Sequence, residues 1–301
     1  MIPQEPLSMR YLLMWLTLLW PLAGLAEPLE VFVSVLPQET FVARVGGEHV
    51  KVSALTRPGQ SPETFEPTPQ QVAALARAEL FVGIGMPFEQ AWMPRLRAAN
   101  PRMRILDART GIDLLPLDHH DHDEDPGHAG PVPTADEAGD PHLWTSPLLA
   151  ARMSASIRDT LTELDPAHAE DYARNQAQFA AELEALDQEI RAQIKELPSR
   201  KFLVFHPAWS YFADAYGLTQ VPIELGGKEP GARTLVTLIG QAKRDQIRVV
   251  FIQPQSDPRF AEQIARAIGG RVIAIDPLAP DYVTNLREVA RQIAAAGTAN
   301  P

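Results

Sequence analysis

The run from Ala167 to Leu197 contains neither glycine nor proline and carries Ala, Leu, Glu and Gln at helical spacing. A helix of about 30 residues is about 45 Å long. Such a rod is longer than one small domain needs, so it reads as a spine joining two lobes. On its N-terminal side β-rich runs alternate with helical ones. LEVFVSVLP (Leu29 to Pro37) is followed by helix-like QETFVARVGG, then by VKVSAL (Val50 to Leu55). Thr68 can cap a helix that Pro69 opens and QQVAALARA continues. ELFVGIG (Glu79 to Gly85), a helix over Glu89 to Ala98, and MRILDA complete that half, and a helix over Ser146 to Leu164 leads to the spine. Beyond the spine the pattern returns in KFLVF (Lys201 to Phe205), LTQVPIE (Leu218 to Glu224), RVVFIQP (Arg248 to Pro254) and RVIAID (Arg271 to Asp276), with helices between them. Strand–helix alternation describes parallel sheets with crossover helices. The expected fold is α/β, with two lobes of similar size, a long spine helix and a cleft between the lobes. Residues 27–164 form the first lobe, 165–198 the linking helix and 199–301 the second lobe.

The N-terminus precedes this pattern. Arg10 supplies a positive region, Tyr11 to Leu22 an apolar stretch, and Gly24-Leu25-Ala26 a small-x-small cleavage site. The apolar stretch is too short for a comfortable membrane span. Residues 1–26 therefore read as a signal peptide, with the mature protein beginning near Glu27. The chain has no cysteine, so it has neither a disulfide framework nor an N-terminal cysteine to carry lipid. A periplasmic location is expected. The formal charge is −11 with no Lys/Arg cluster, which argues against nucleic acid and anionic lipid surfaces and suits a cationic ligand.

Ligands in open α/β sheets bind beyond the carboxyl ends of the strands, and four side chains with metal chemistry fall there. Glu63 lies in PGQSPETFEPTP just after VKVSAL, His142 in GDPHLWTSP, His206 in VFHPAWSYF, and Asp276 in VIAIDPLAP. Each has an ordinary structural reading. Glu63 can be a solvated turn residue, His142 can be bonded to backbone at a helix start, and His206 can belong to the core. Asp276, after four apolar residues, needs a partner if buried. Taken together, two from each lobe, they are the imidazole and carboxylate donors of a divalent transition metal, and one cleft can gather all four.

A second concentration of donors is the stretch PLDHHDHDEDPGHAG (Pro116 to Gly130), inside a segment of about 116–140 with neither helical nor strand period. It holds His119, His120, His122 and His128 and reads as a mobile loop. Ordering such a loop costs entropy that rigid strand-end ligands do not lose, so its metal affinity is expected to be the weaker. The alternative is a solvated insertion with incidental affinity.

The chain resembles the metal-specific solute-binding proteins of bacterial ABC importers, the zinc/manganese cluster. The likeness rests on RPGQSPETFEPTPQQ, DPHLWTSP, VFHPAWSYFADAYGL, GGKEPGARTLVTLIGQAKRDQIRVVFIQPQ and IDPLAPDYVTNLR, and it extends over the whole mature chain. The resemblance implies high-affinity capture of a divalent metal in the periplasm by a monomer, and its delivery to a membrane permease. It also implies a four-ligand site to which His142, His206 and Asp276 correspond directly. In place of the family's usual first histidine stands Glu63. That leaves open a changed ligand, water, or Glu66. Gln253 replaces a common acidic residue. The His-rich loop resembles the scavenging or delivery segment of zinc members. Two imidazoles and two carboxylates can hold Zn2+, Mn2+ or Fe2+. His206 and the loop favour Zn2+, whereas Glu63 pulls toward harder cations. Zn2+ is the expected cargo, with Mn2+ or Fe2+ as alternatives.

Catalysis finds little support. His120-x-His122 continues as Glu124-Asp125, which breaks a zinc-hydrolase motif, and H-E-x-x-H is absent. Ser210 lacks a G-x-S-x-G turn. Aromatics make up 7% of the chain, few for an organic-solute cleft.

Overall fold

Short runs of β-branched and aromatic residues become strands in both halves of the chain. The computed structural model describes residues 27–116, 139–224 and 227–298. Residues 1–26, expected to be a signal peptide, and 117–138, most of the His-rich segment expected over about 116–140, lie outside the described residues. The first sheet contains β1 (Leu29–Val33), β2 (Val50–Ala54), β3 (Leu80–Gly83) and β4 (Arg104–Asp107), all parallel, in the order β2-β1-β3-β4. The second contains β5 (Lys201–Val204), β6 (Thr219–Pro222), β7 (Val249–Ile252) and β8 (Arg271–Ala274), in the equivalent order β6-β5-β7-β8. The fold is thus the two-lobed α/β architecture expected. Each order reverses direction at its centre, and such a switch point opens a crevice at the carboxyl ends of the strands.

Helices α1 (Leu36–Gly46), α2 (Pro69–Leu75), α3 (Pro87–Ala99) and α4 (Pro147–Leu164) belong to the first half. Thr68 caps α2 as its sequence suggests, its Oγ1 accepting from the Gln71 amide. The strand read through Pro37 instead stops at Val33, and Pro37 lies in the first turn of α1. Proline is preorganised for that turn, where its missing N–H costs nothing.

The spine is α5 (Ala169–Ile194), 26 residues and about 39 Å long. It buries Tyr172, Gln176, Phe179, Leu183, Leu186, Ile190 and Ile194 on one stripe. After it come α6 (Ser210–Tyr216), α7 (Ala232–Arg244), α8 (Pro258–Ile268) and α9 (Tyr282–Thr298). The stripe of α5 enters a core that also takes Val31, Val33 and Phe41 from the first half and Val289 and Ile293 from α9. The second sheet divides its faces by strand alternation. Phe202, Val204, Val249 and Phe251 join that shared core, while Leu203, Phe205, Val250 and Ile252 join a smaller one with Ile264 and Ile268.

Polar bonds also tie the halves together. Trp144 Nε1 donates to the Pro277 carbonyl (2.7 Å), and the Tyr282 hydroxyl donates to the Trp144 carbonyl (2.6 Å). The Tyr211 hydroxyl donates to the Asp140 carbonyl (2.8 Å) and accepts from the Leu115 amide (3.0 Å). Among the described residues no helix is long and apolar enough to cross a membrane.

A spine with core on both sides and bonds across the cleft resists a wide hinge. Small-angle scattering profiles with and without zinc are therefore expected to be nearly superimposable; a clamshell-sized change would contradict the rigid spine. Tyr282→Phe removes one buried bond and is expected to lower unfolding free energy in urea by about 1 kcal/mol.

Candidate metal centre

Glu63 sits in a 3-10 turn, Pro62–Thr64, directly after the first sheet's edge strand β2. Pro62 and Phe65 are buried on either side of it, and Phe65 packs edge-on against Phe88 at 5.0 Å. These anchors turn the carboxylate into the cleft. Ser61 Oγ donates to Glu63 Oε2, leaving Oε1 to face inward.

His142 is placed by its own short segment. Gly139 adopts φ +67, and a Cβ there would lie 2.7 Å from that of Leu114, so the chain needs glycine to enter Asp140. The Asp140 amide then donates to the Leu115 carbonyl (2.8 Å). Asp140 Oδ1 accepts both the His142 amide (2.8 Å) and its Nδ1 (2.7 Å). An ionised carboxylate only accepts, so Nδ1 carries the proton and Nε2 is turned toward Glu63.

His206 lies two residues beyond β5, and Glu224 two residues beyond β6. The register of these parallel strands pairs Val204 with Pro222, and the same offset brings Glu224 beside His206. Its Oε2 lies 3.0 Å from His206 Nδ1. Nε2 of His206 is buried, makes no hydrogen bond, and lies 3.2 Å from Glu63 Oε1. His142 Nε2 lies 3.6 Å from the same oxygen. Among the described residues, Glu63, His142 and His206 are the one group of three or more side chains whose donor atoms all fall within 4.8 Å. Two metal–ligand bonds of about 2.0–2.1 Å at a tetrahedral angle span about 3.3 Å. The spacing therefore suits an ion the size of zinc.

Asp276 follows β8 at the same end of the second sheet but stands outside that trio. Its Oδ1 accepts from Gln255 Nε2 (3.1 Å) and from the Leu278 amide (2.9 Å). Glu66 is exposed and belongs to no such group, so the geometry favours Glu63. Gln253 is half-buried, and it is Gln255, two residues on, that touches Asp276. Ser210 Oγ accepts from Gln220 Nε2. His119, His120, His122 and His128 lie outside the described residues.

Sequence reading missed Asp140 and Glu224, the two carboxylates that hold the rings. Asp140 had a local signal, an Asp two residues before the histidine. Glu224 had the same signal as Asp276, an acidic residue ending an apolar run. Carboxylates on the remote nitrogen fix the tautomer and make the other nitrogen a better ligand.

The charges are coupled. Burial opposes a charge on His142, but the hydrogen-bonded Asp140 carboxylate and the nearby Glu63 carboxylate outweigh it and raise its pKa to about 9. For His206 burial again opposes, while Glu224 and Glu63 raise the pKa and the nearby His142 charge lowers it. Burial also works against ionised Glu63, yet the two imidazoles hold its carboxyl well below the usual range. Protons therefore compete with a metal for the ring nitrogens of this centre.

A family model described as ZnuA, zinc-uptake complex component A periplasmic, matches residues 31–296. The high-affinity zinc uptake system protein ZnuA of Bacillus subtilis is 28% identical over 84% of this chain and 79% of its own length. The zinc-binding lipoprotein AdcA of Streptococcus pneumoniae is 27% identical over 83% of this chain, which spans 50% of AdcA. A crystal structure of a ZnuA deletion mutant with zinc bound is 42% identical, with a TM-score of 0.83, over 91% of this chain and all of that one.

Because the pKa of His142 is raised, protons compete with a metal up to about pH 9. Zn2+ affinity is expected to rise with pH from 6.5 and to level off near that value, with proton release visible as a buffer-dependent calorimetric heat. Asp140→Asn should move the plateau to lower pH, and at high pH should weaken Zn2+ binding by about 10–100-fold.

Proposed function

The chain belongs to the zinc-uptake component A family, and we propose that it captures Zn2+ in the periplasm and hands it to an ABC permease without chemical turnover. The observation that carries this reading is the convergence of His142 Nε2 and His206 Nε2 on one oxygen of Glu63, with each ring held from behind by a carboxylate. Rigid donors lose little entropy when the ion arrives, which favours tight and reversible binding. Asp276 is the fourth ligand in this reading, offering Oδ2 from the far side of the cleft.

Neutral His142 and His206 with ionised Glu63 and Asp276 bring the four-ligand set around Zn2+ to zero net charge. A histidine at position 63 would leave +1, which is costlier in a low-dielectric cleft. The carboxylate also hardens the site and narrows its margin for Zn2+ over Mn2+. The His-rich loop from 117 to 138 serves as a weaker accessory collector in this scheme. The protein works as a monomer, since the site is assembled within one chain.

Metal analysis of protein purified without added metal, followed by competition titration, tests the reading: zinc should be recovered and should outcompete manganese. His142→Ala or His206→Ala should remove most tight binding; wild-type affinity in both would sink the assignment. Glu63→Ala should weaken both metals, and Glu63→His should widen the preference for zinc. Deleting 117–138 should leave one tight site and abolish weaker additional binding.

A further inference from the structure

A carboxylate can give a metal one oxygen or two, and that choice changes the coordination number. Zinc is held by four donors in a tetrahedron, while manganese favours six, mostly oxygens. At this centre the surroundings restrict the choice. Each carboxylate oxygen has two lone-pair directions. At Asp276, Oδ1 accepts from both Gln255 Nε2 (3.1 Å) and the Leu278 amide (2.9 Å), so both of its directions are taken. Only Oδ2 is left. At Glu63, Ser61 Oγ–H draws Oε2 away while Oε1 faces the two histidines. Each imidazole likewise has its Nδ1 bound to a carboxylate. Asp276 and the two imidazoles thus present one donor atom apiece, while Ser61 takes one of the two directions of Glu63 Oε2.

Gln255 is the adjustable part of this arrangement. Its amide must point the nitrogen at Asp276, since the reverse orientation would set oxygen against oxygen. Its Oε1 is then buried and makes no hydrogen bond. Native structures leave few buried acceptors unbonded, and each such group calls for an explanation. The Leu278 amide alone would already hold the carboxylate in its turn. The added donor completes the occupation of Oδ1, and the side chain keeps it although one of its own polar atoms goes unbonded.

We propose that Gln255, assisted by Ser61, confines the carboxylates of the centre to one oxygen each and thereby sets four-coordination, favouring zinc over cations that need more ligands. Gln255 is a positioning and specificity-determining residue: it touches Asp276 and not the ion. The proposal rests on the reading of Glu63, His142, His206 and Asp276 as the metal ligands.

The test uses Co2+ as a spectroscopic probe, because tetrahedral Co2+ absorbs visible light far more strongly than the six-coordinate ion. Wild type, Gln255→Ala, Gln255→Met, Ser61→Ala and His206→Ala would be loaded with Co2+ and separately titrated with Zn2+ and Mn2+ in competition. Gln255→Met keeps much of the side-chain volume but cannot donate, which guards against a folding defect in Gln255→Ala. The expected result is an intense spectrum in the wild type that fades in the Gln255 variants and, to a smaller extent, in Ser61→Ala. The zinc-to-manganese affinity ratio should fall by about tenfold in the Gln255 variants, chiefly through tighter manganese binding. A wild-type spectrum and ratio in both Gln255 variants would overturn the proposal. In that case loss of tight binding in His206→Ala would show that the metal centre itself still stands. Wild-type zinc affinity in His206→Ala would overturn the ligand assignment as well.

Discussion

The bond between a carboxylate and the far nitrogen of an imidazole, made once in each lobe, is what the centre depends on. Asp140 does this for His142 and Glu224 for His206. Neither acid touches the space where the ion would sit. Each settles which ring nitrogen holds the proton, and so which one faces the cleft. The same bonds raise the ring pKa values, so protons compete with a metal for these nitrogens.

The scaffold makes these bonds reproducible. His206 and Glu224 meet because β5 and β6 run parallel in a fixed register. The His142 segment is fastened to the other lobe through Trp144, Pro277, Tyr282 and Tyr211. The spine α5 and the returning helix α9 bury apolar residues from both halves in one core. Relative motion of the lobes would have to break that core, so adjustment on binding falls to side chains and to the loops at the strand ends. Asp276, which stands apart from the trio, is the proposed fourth donor and the one with the most adjustment to make.

The alternation of strands and helices, the spine and three of the four proposed donors lie in features that local sequence expresses: periodicity, proline placement and residues just past apolar runs. Glu63 was legible as a donor but not as a donor in place, because nothing in PGQSPETFEPTP tells which of Glu63 and Glu66 turns inward. Burial of Pro62 and Phe65 favours Glu63. Asp140 and Glu224 went unread for different reasons. Asp140 carried a local signal, its spacing from His142, that does not by itself tell a ring-holding acid from a turn residue; Glu224 ended an apolar run, but its contact with His206 is long-range and follows from strand register. Gln255 is of the second kind, since its position beside Asp276 depends on how β7 and β8 align. Strand ends also proved shorter than their apolar runs, as at Pro37, where a residue that looks terminal to a strand opens a helix.

The claim at the centre of this account is that both histidines bind through Nε2, with Glu63 between them. Anomalous diffraction at the zinc edge from crystals of the full mature chain loaded with Zn2+ tests it most directly. The account predicts a strong peak about 2.0–2.1 Å from His142 Nε2, His206 Nε2 and Glu63 Oε1, with Asp140 and Glu224 still on the opposite nitrogens. A peak bonded through Nδ1 of either ring, or one from which Glu63 is turned away, would contradict it.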